Sequence, residues 1–334
     1  MKNYPIIIGI DISKLKLDIV GINLENEIIF KHQIIDNKKT KIKSFLKRIV
    51  AENNKDEILI VFENTGVYGY FLASILYQYN MNYSNLSALE IHKSIGIKRG
   101  KSDKSDALMI AKYALANRFK IELSSFTHEH LTKLKVLHTQ REKVIKAIRT
   151  FGNNKEFEKF LPKQIIADLI KTNTSIIKNL KKNLKCIDKQ ILDIINSNKS
   201  LKVNYDLIQS VPGVGPQTAT YLLIVTKGFT TFNNARKIAC YAGVAPFPYQ
   251  SGSSINGRNK VSHLADKKLK SLLNMCALNA KKYDYQLKSY FESKVEKGKN
   301  KMLVLNNIRN KLLHRIFAVI KRQQPYVNIH NFAA

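Results

Sequence analysis

The N-terminal part of the chain alternates between short apolar runs and brief turns, a pattern that few folds accommodate. Three apolar runs follow one another from residue 4 onwards: YPIIIGIDIS, KLDIVGIN and NEIIFKHQII. The turns between them, at Ser13-Lys14 and Leu24-Glu25-Asn26, are so short that the runs predict three antiparallel strands. A helical pattern at about 38 to 53, the apolar run EILIVFEN, the helical stretch GVYGYFLASILYQYN and a run near NYSNLSAL then predict βαβ units. The sequence therefore predicts a mixed sheet with helices on its faces.

The rest of the chain is dominated by helical periodicity. Apolar residues keep a helical spacing from Lys104 to Ala116, and a lysine-rich helical pattern covers about 128 to 197, which predicts a helical hairpin or coiled-coil arm. Further helices are expected at about 232 to 241, 262 to 281 and 284 to 321, the last of them interrupted near EKGKN. The fold class is therefore α/β plus α. We expect three domains: residues 1–120 with the mixed sheet, 121–200 forming the arm, and a helical domain over 201–326.

The charge balance points to a polyanionic partner. The 334 residues include 56 Lys and Arg against 25 Asp and Glu, for a net charge of +31. Phosphates are the default partners of so basic a chain, although an AT-rich coding sequence would also favour lysine. No apolar run is long enough to cross a membrane, and the three isolated cysteines suggest reduced core thiols. We expect a cytoplasmic protein with no membrane partner.

Four carboxylates lie at strand ends and on one helical face, an arrangement that is unexpected by chance in a chain so poor in acids. Asp11 and Glu63 end apolar strands, and the carboxyl ends of neighbouring strands meet at one edge of a sheet. Asp103 and Asp106 are three residues apart and share a helical face, so one helix could bring both to that edge. Each acid also has a simpler explanation. Asp103 and Asp106 suit a helix N-terminus, Asp11 could cap a turn, and Glu63 could pair with a lysine.

Converging carboxylates repel one another unless cations lie among them. Oxygen ligands of this type suit Mg²⁺ or Mn²⁺, and paired ions can clamp the attacking and leaving oxygens of a phosphoryl transfer. Asp11, Glu63, Asp103 and Asp106 are therefore candidate metal ligands and catalytic residues. The basic residues beside them, Arg99, Lys101 and Lys104, are candidates for holding a nucleic-acid backbone.

Two further segments have the composition of phosphate-binding elements. SVPGVGPQTA has the pattern of a helix-hairpin-helix, in which Gly213 and Gly215 would let the backbone approach DNA, although an ordinary tight helix–helix turn has the same glycines. A predicted loop after Cys240 carries several hydroxyl and basic side chains. Spacing alone favours phosphate binding by this loop over catalysis. Its candidate residues are Ser251, Ser253, Ser254, Arg258, Lys260 and Lys267.

At these motifs the sequence resembles a known family. GIDISK, FENTGVYG and RGKSDKSDALMIAKYA are similar to the motifs of the DEDD transposases with a RuvC-like, ribonuclease-H-fold N-terminal domain, the insertion-sequence family called IS-one-ten. The resemblance extends over about residues 4 to 323. It implies that Asp11, Glu63, Asp103 and Asp106 are four metal ligands.

The resemblance also changes the interpretation of the serine segment. An apolar stretch, a Ser-Gly pair and a basic helix are similar to the family's second motif, which implies that Ser251 is the recombination nucleophile. Many members have two serines before the glycine, whereas this chain has Gln250-Ser251. Attack by Ser251 on DNA would form a phosphoserine link, with Arg258, Lys260 and Lys267 stabilising the transition state.

The resemblance further implies donor and target DNA and a structured non-coding bridge RNA as partners. We also expect a homo-oligomer, dimer or tetramer, with the acids of one subunit acting beside Ser251 of another. Two alternatives stay open. One is a metal-dependent RuvC-like junction nuclease whose acids activate water, and the other is a non-catalytic nucleic-acid-binding protein.

Overall fold

The computed structural model describes residues 4–94, 103–126, 129–232, 234–251 and 255–328. The chain divides into two compact units, residues 1–126 and residues 127–334. The first unit is the mixed sheet with its helices, and the second is mainly helical. The further division of the second unit into an arm and a C-terminal domain stays a prediction.

The first unit is built on a five-stranded sheet in the order β3-β2-β1-β4-β5. Strands β1, β2 and β3 pair antiparallel, while β4 and β5 run parallel to β1. This is the ribonuclease-H-like topology that the resemblance implies, and it confirms the predicted mixed sheet. The strands are β1 (Ile6–Ile12), β2 (Lys16–Ile22), β3 (Ile28–Asp36), β4 (Ile58–Glu63) and β5 (Asn82–Leu86).

Helices cover both faces of this sheet. The helices of the first unit are α1 (Lys39–Glu52), α2 (Tyr70–Gln78), α3 (Ala88–Ser94) and α4 (Asp103–Ala116). Ile8 and Ile10 of β1 belong to a buried cluster with α1 and α2, whereas Ile7 belongs to a second cluster with α3 and α4. Successive residues of a strand face opposite sides, so Gly9 and Asp11 share the α4 side with Ile7. The near-continuous apolar run of β1 reflects this two-sided burial.

The second unit begins with a long helical hairpin. It consists of α5 (Glu129–Phe151), the short α6 (Lys155–Phe160) and α7 (Lys163–Asn196). The side chain of Ile177 lies close to Gly152 near the turn, and Arg141 pairs with Asp188 at 2.6 Å farther along. These contacts show that α5 and α7 run antiparallel, as the helical pattern predicts.

A single apolar core joins the base of this hairpin to the C-terminal helices. The remaining elements are α8 (Lys199–Gln209), α9 (Pro216–Val225), α10 (Ala235–Tyr241), β6 (Pro246–Ser251), β7 (Ile255–Val261), α11 (Lys267–Tyr283), α12 (Tyr285–Glu296) and α13 (Lys301–Arg322). The break between α12 and α13 agrees with the predicted interruption. Two expectations were wrong: the serine segment forms a β-hairpin rather than a loop, and Cys186 is exposed rather than in the core. Within the described ranges, no helix is both long and apolar enough to span a bilayer.

Candidate active site

Asp11 and Glu63 lie at the same edge of the sheet. Strands β1 and β4 are parallel neighbours with Ile10 opposite Phe62, so the residues that follow, Asp11 and Glu63, come side by side. Both side chains are partly buried. The register thus places two of the four predicted acids together, because both lie at the carboxyl ends of neighbouring parallel strands.

The other two acids reach this edge because α4 packs directly on β1. A β-carbon added to Gly9 would stand 2.2 Å from the carbonyl oxygen of Ala107 and 2.6 Å from the amide nitrogen of Ala111. The absence of a side chain at Gly9 therefore permits a close approach of helix and strand backbones. Asp106 precedes Ala107 in α4 and Asp103 is the first residue of this helix.

The electrostatics of Asp11 are consistent with a grouping of the acids around it. Burial raises the pKa of the Asp11 carboxyl, and the negative charges of Asp106, Asp103, Glu63 and Asp18 raise it further, in that order. The charges of the other three predicted acids therefore all act on the carboxyl of Asp11. The repulsion makes the ionised form of Asp11 costly, and a bound cation would offset this cost.

A fifth acid, Asp18, also belongs to this cluster. Asp18 lies opposite Asp11 in the β1–β2 register, and its side chain is only 2% exposed. His32 Nε2 lies 2.8 Å from one of its carboxylate oxygens, and the Lys16 ammonium lies 3.1 Å from the other. The sequence carries the signal, since Asp18 interrupts the apolar run of β2 as Asp11 interrupts that of β1.

Lys16 joins Asp18 to the helical acids. Its ammonium donates a 2.7 Å hydrogen bond to Asp103 Oδ2 while staying within ion-pair distance of Asp18. The cluster of Asp11, Asp18, Glu63, Asp103 and Asp106, called here the acid cluster, already holds one cationic group.

The donor chemistry of the acid cluster suits a divalent cation. Carboxylate oxygens are the ligands that Mg²⁺ and Mn²⁺ prefer, and both the repulsion at Asp11 and the bound Lys16 ammonium show that the cluster accepts positive charge. In the parts of the chain that the structure describes, no three His, Cys, Asp or Glu side chains are grouped closely enough to hold a metal ion. The chemistry of these carboxylates therefore suits a divalent cation, and side-chain movement is needed to bring them together around one.

The predicted glycine hairpin joins α8 to α9, and its two glycines have different surroundings. Gly213 has a φ of +85°, and a β-carbon there would stand 2.7 Å from the backbone nitrogen of Ala280 in α11. Among the described residues, nothing lies within 4 Å of the corresponding position at Gly215, which precedes α9 without a side-chain cap. Packing explains the glycine at position 213, and the open side of Gly215 leaves the N-terminus of α9 accessible to an anion.

Ser251 ends β6 at the tip of the β-hairpin, where Ser251 pairs with Ile255. The ring of Tyr249 lies against Gly257, where a β-carbon would stand 2.8 Å from Tyr249 Cδ1. Gln250 donates a 3.1 Å hydrogen bond to Asn256. Cross-strand contacts thus brace the hairpin directly beneath its tip. Gly252, Ser253 and Ser254 lie outside the described residues.

The predicted basic contacts divide between the two units. Lys104 is exposed in the first turn of α4, while Arg99 and Lys101 lie outside the described residues. Arg258 is part of β7, and the exposed Lys260 has its ammonium 5.9 Å from the centre of the Tyr249 ring. Lys267 is the first residue of α11. The roles of these residues in binding stay predictions.

Comparison with known proteins identifies the family. A family model for IS110-type DEDD transposases, described as a transposase, matches residues 8–156, and one described as the transposase IS116/IS110/IS902 family matches residues 205–292. The pilin gene-inverting protein of Moraxella lacunata is 30% identical over 277 residues, which cover 82% of this chain and 83% of that protein. The chain belongs to the IS110 (IS-one-ten) family of transposases.

Other similarities of this IS110-family chain are weaker. The transposase for insertion sequence element IS1533 of Leptospira borgpetersenii is 24% identical over 254 residues, 69% of this chain and 72% of that protein. Among solved structures, T. thermophilus RuvC in complex with a Holliday junction substrate covers 36% of this chain and 100% of its own, with 10% identity and a TM-score of 0.28. At that score the likeness adds nothing to the fold assignment, which stands on the sheet order and the family models.

Proposed function

We propose that this IS110-family transposase carries out insertion-sequence transposition by metal-assisted attack of Ser251 on DNA phosphodiesters, guided by a structured RNA of the element. The observation that carries the proposal is the convergence of Asp106, Asp103 and Glu63 on Asp11. Four acids assembled by two parallel strands and one helix are more than helix capping requires. Their chemistry suits phosphoryl transfer at bound divalent cations.

The role of the acids in this mechanism is to bind the metal. Asp11, Glu63, Asp103 and Asp106 would hold Mg²⁺ or Mn²⁺. A divalent cation bound there supplies positive charge that orients the scissile phosphate and offsets charge developing on its oxygens. The sheet register holds the backbone of the two acids on β1 and β4, and the contact at Gly9 holds the backbone of α4, which carries the other two. A rigid scaffold of this kind favours a fixed approach of phosphate to nucleophile.

Ser251 supplies the nucleophile. Its hydroxyl oxygen attacks phosphorus and forms a Ser251 Oγ–P bond, the bond from phosphorus to one deoxyribose oxygen breaks, and the hydroxyl proton ends on the departing oxygen. The phosphoserine link retains the ester, so a second deoxyribose hydroxyl can displace Ser251 without consuming water. The position of Ser251 at the tip of a braced hairpin suits a side chain that must enter a DNA groove.

Basic side chains would hold the polyanionic partners. Three basic residues follow Ser251 closely enough in sequence to contact the same phosphate or its neighbours: Arg258, Lys260 and Lys267. Three others would contact phosphates beside the acids: Arg99, Lys101 and Lys104. Donor DNA, target DNA and a bridge RNA together would engage far more phosphates than these six residues meet. The net charge of +31 is consistent with so extended an interface.

A covalent-adduct assay tests the proposal. Purified protein is incubated with labelled element-end DNA, its flanking non-coding RNA and Mg²⁺ or Mn²⁺, and the products are separated under denaturing conditions. We expect DNA linked to intact protein, and no adduct with Asp11→Asn or Asp106→Asn. The matched control is Asp36→Asn, which alters an exposed acid at the end of β3.

Each other outcome of that assay contradicts a definite part of the proposal. Adducts formed by Asp106→Asn at the wild-type level would remove the acids from the chemistry. Cut DNA with free ends and no adduct would instead indicate a water-using nuclease. Adducts formed equally well without the RNA would contradict guidance by RNA.

A further inference from the structure

The Lys16 ammonium bridges two carboxylates of the acid cluster. Lys16 Nζ is 2.7 Å from Asp103 Oδ2 and 3.1 Å from Asp18 Oδ2. Asp18 lies opposite Asp11 on the neighbouring strand, so the ammonium links the acid beside Asp11 to the first acid of α4. A positive group held there lowers the repulsion among the carboxylates in the absence of metal.

The two ends of this bridge differ in strength. The Asp18 side chain is 2% exposed and has His32 as a second partner, whereas the Asp103 side chain is 52% exposed and the Lys16 side chain 38% exposed. Ion pairs between exposed groups contribute little, because water and salt screen them. The bond from Lys16 to Asp103 is therefore the one that a competing cation breaks, and the bond to buried Asp18 is the one that persists.

We propose that Lys16 is an internal counter-cation that holds Asp103 in the metal-free protein and must release it before a divalent cation can be bound by the acid cluster. Asp103 is the first residue of α4, so its side chain can turn without disturbing the core beneath Ala107 and Ala111. Lys16 keeps its bond to Asp18 during this exchange, so Asp18 is not left buried without a partner. The inference rests on the proposed metal-binding role of the acids.

The exchange concerns one of the acids that surround Asp11. They converge electrostatically on Asp11, yet no three of the carboxylates that the structure describes are grouped closely enough to hold a metal ion. A lysine that engages Asp103 keeps one oxygen of that carboxylate occupied. Removing this ammonium should release that oxygen from Lys16 and remove a repulsive charge from the site of the metal.

Titration of the full-length protein with Mn²⁺ alone, without nucleic acid, tests the proposal. Binding is followed by calorimetry and by the electron paramagnetic resonance signal of free Mn²⁺, and the component abolished by Asp11→Asn is taken as binding to the acid cluster. We expect Lys16→Met to tighten that component by on the order of tenfold, since it removes a unit charge a few ångströms from a divalent ion. Lys16→Arg, which keeps the charge, should stay near the wild type.

The matched control is Lys14→Met, which removes an exposed positive charge two residues away. We expect it to change the affinity for Mn²⁺ by less than about twofold, because a solvent-exposed charge is screened. If Lys16→Met weakens folding by leaving Asp18 with His32 alone, the comparison of Asp18→Asn with Asp18→Asn/Lys16→Met gives the same test without the buried charge.

The outcomes separate this inference from the proposed function. Equal or weaker Mn²⁺ binding by Lys16→Met, with wild-type binding still sensitive to Asp11→Asn, overturns the role of Lys16 and leaves the metal site intact. Absence of Mn²⁺ binding sensitive to Asp11→Asn in both wild type and Lys16→Met overturns both. Tighter binding by both Lys16→Met and Lys14→Met would reduce the effect to general charge and so contradict the specific exchange.

Discussion

Gly9 of β1 lies directly beneath Ala107 of α4, so close that a β-carbon on the glycine would stand 2.2 Å from the alanine carbonyl oxygen. Two residues beyond Gly9 is Asp11, and one residue before Ala107 is Asp106. The backbone contact therefore sets the separation between the strand acid and the helix acid. Packing and chemistry depend on the same glycine.

Gly9→Ala is expected to lower both stability and strand transfer. The added methyl group meets backbone atoms of α4 that cannot turn aside, and overpacking of this kind costs about 1–3 kcal/mol. If the helix shifts to make room, Asp103 and Asp106 move away from Asp11. Urea denaturation and the covalent-adduct assay measure the two effects.

The control for that substitution is Gly69→Ala. A β-carbon at Gly69 would meet its nearest neighbour, Ile12 Cδ1, at an ordinary 3.5 Å. We expect near wild-type stability and adduct formation from it. Full adduct formation by Gly9→Ala would show that the acids tolerate displacement of α4.

The two glycines of the α8–α9 turn should respond differently to alanine. Gly213→Ala combines a φ of +85° with a contact to the α11 backbone, so we expect a loss of at least about 2 kcal/mol in the free energy of unfolding. Gly215→Ala meets nothing and should cost less than about 1 kcal/mol, while weakening DNA binding if a phosphate approaches the α9 N-terminus. Denaturation and fluorescence anisotropy with duplex DNA distinguish the two. Equal effects on stability would contradict the different surroundings of these glycines.

Three single substitutions identify the nucleophile. Ser251→Ala should abolish the covalent adduct, whereas Ser253→Ala and Ser254→Ala should retain it, because Ser251 occupies the position before Gly252 that the family resemblance assigns to the nucleophile. Mass spectrometry of the adduct peptide after nuclease digestion locates the phosphoserine. An adduct that survives Ser251→Ala and disappears with one of the other two would move the nucleophile to that serine.

Stability should fall in mild acid because of His138. Its side chain is 5% exposed, its Nε2 has no hydrogen-bond partner among the residues that the structure describes, and its ring lies 5.0 Å from that of Tyr221. Burial lowers the pKa of His138 below its usual 6.5; nearby Glu142 opposes this effect, and Lys268 and Arg141 reinforce it. The unfolded chain thus takes up a proton at higher pH than the folded chain. The free energy of unfolding therefore decreases as the pH falls through 6.5 towards the lowered value.

Chemical denaturation at pH 7 and pH 5 measures this dependence. His138→Gln should flatten it, since glutamine does not titrate, and the exposed His263→Gln should leave it unchanged. An unaltered difference between the two pH values in His138→Gln would assign the acid sensitivity to other groups.

Much of the first unit could be predicted from the sequence because its determinants are local. Alternation of apolar residues and short turns specify three antiparallel strands, and acids at strand ends indicate the edge where they meet. The partner of Gly9 could not be predicted, because it lies almost a hundred residues away in α4 and no local pattern identifies it. Asp18 was detectable as a polar interruption of an apolar strand, but its bond to Lys16 and the link to Asp103 depend on side-chain positions across the sheet edge.

The serine hairpin was missed for a physical reason. Pro246 and Pro248 in β6 and glycines 252 and 257 are residues that ordinarily favour loops, and they outweigh the weak alternation of PFPYQS. The strand nevertheless forms, with a register shift between Phe247 and Tyr249 that accommodates the second proline. The pairing of β6 with β7 depends on contacts between the two strands, which the spacing of residues along the sequence does not reveal.

Those same two prolines have a consequence for how copies of the protein meet. Residues 246 and 248 carry no amide hydrogen, so β6 cannot offer a full ladder of donors to another chain. An edge strand interrupted in this way resists extension into an intermolecular sheet. If copies of this protein assemble on nucleic acid, as the family resemblance implies, their hairpins can therefore lie close together without forming an intermolecular sheet.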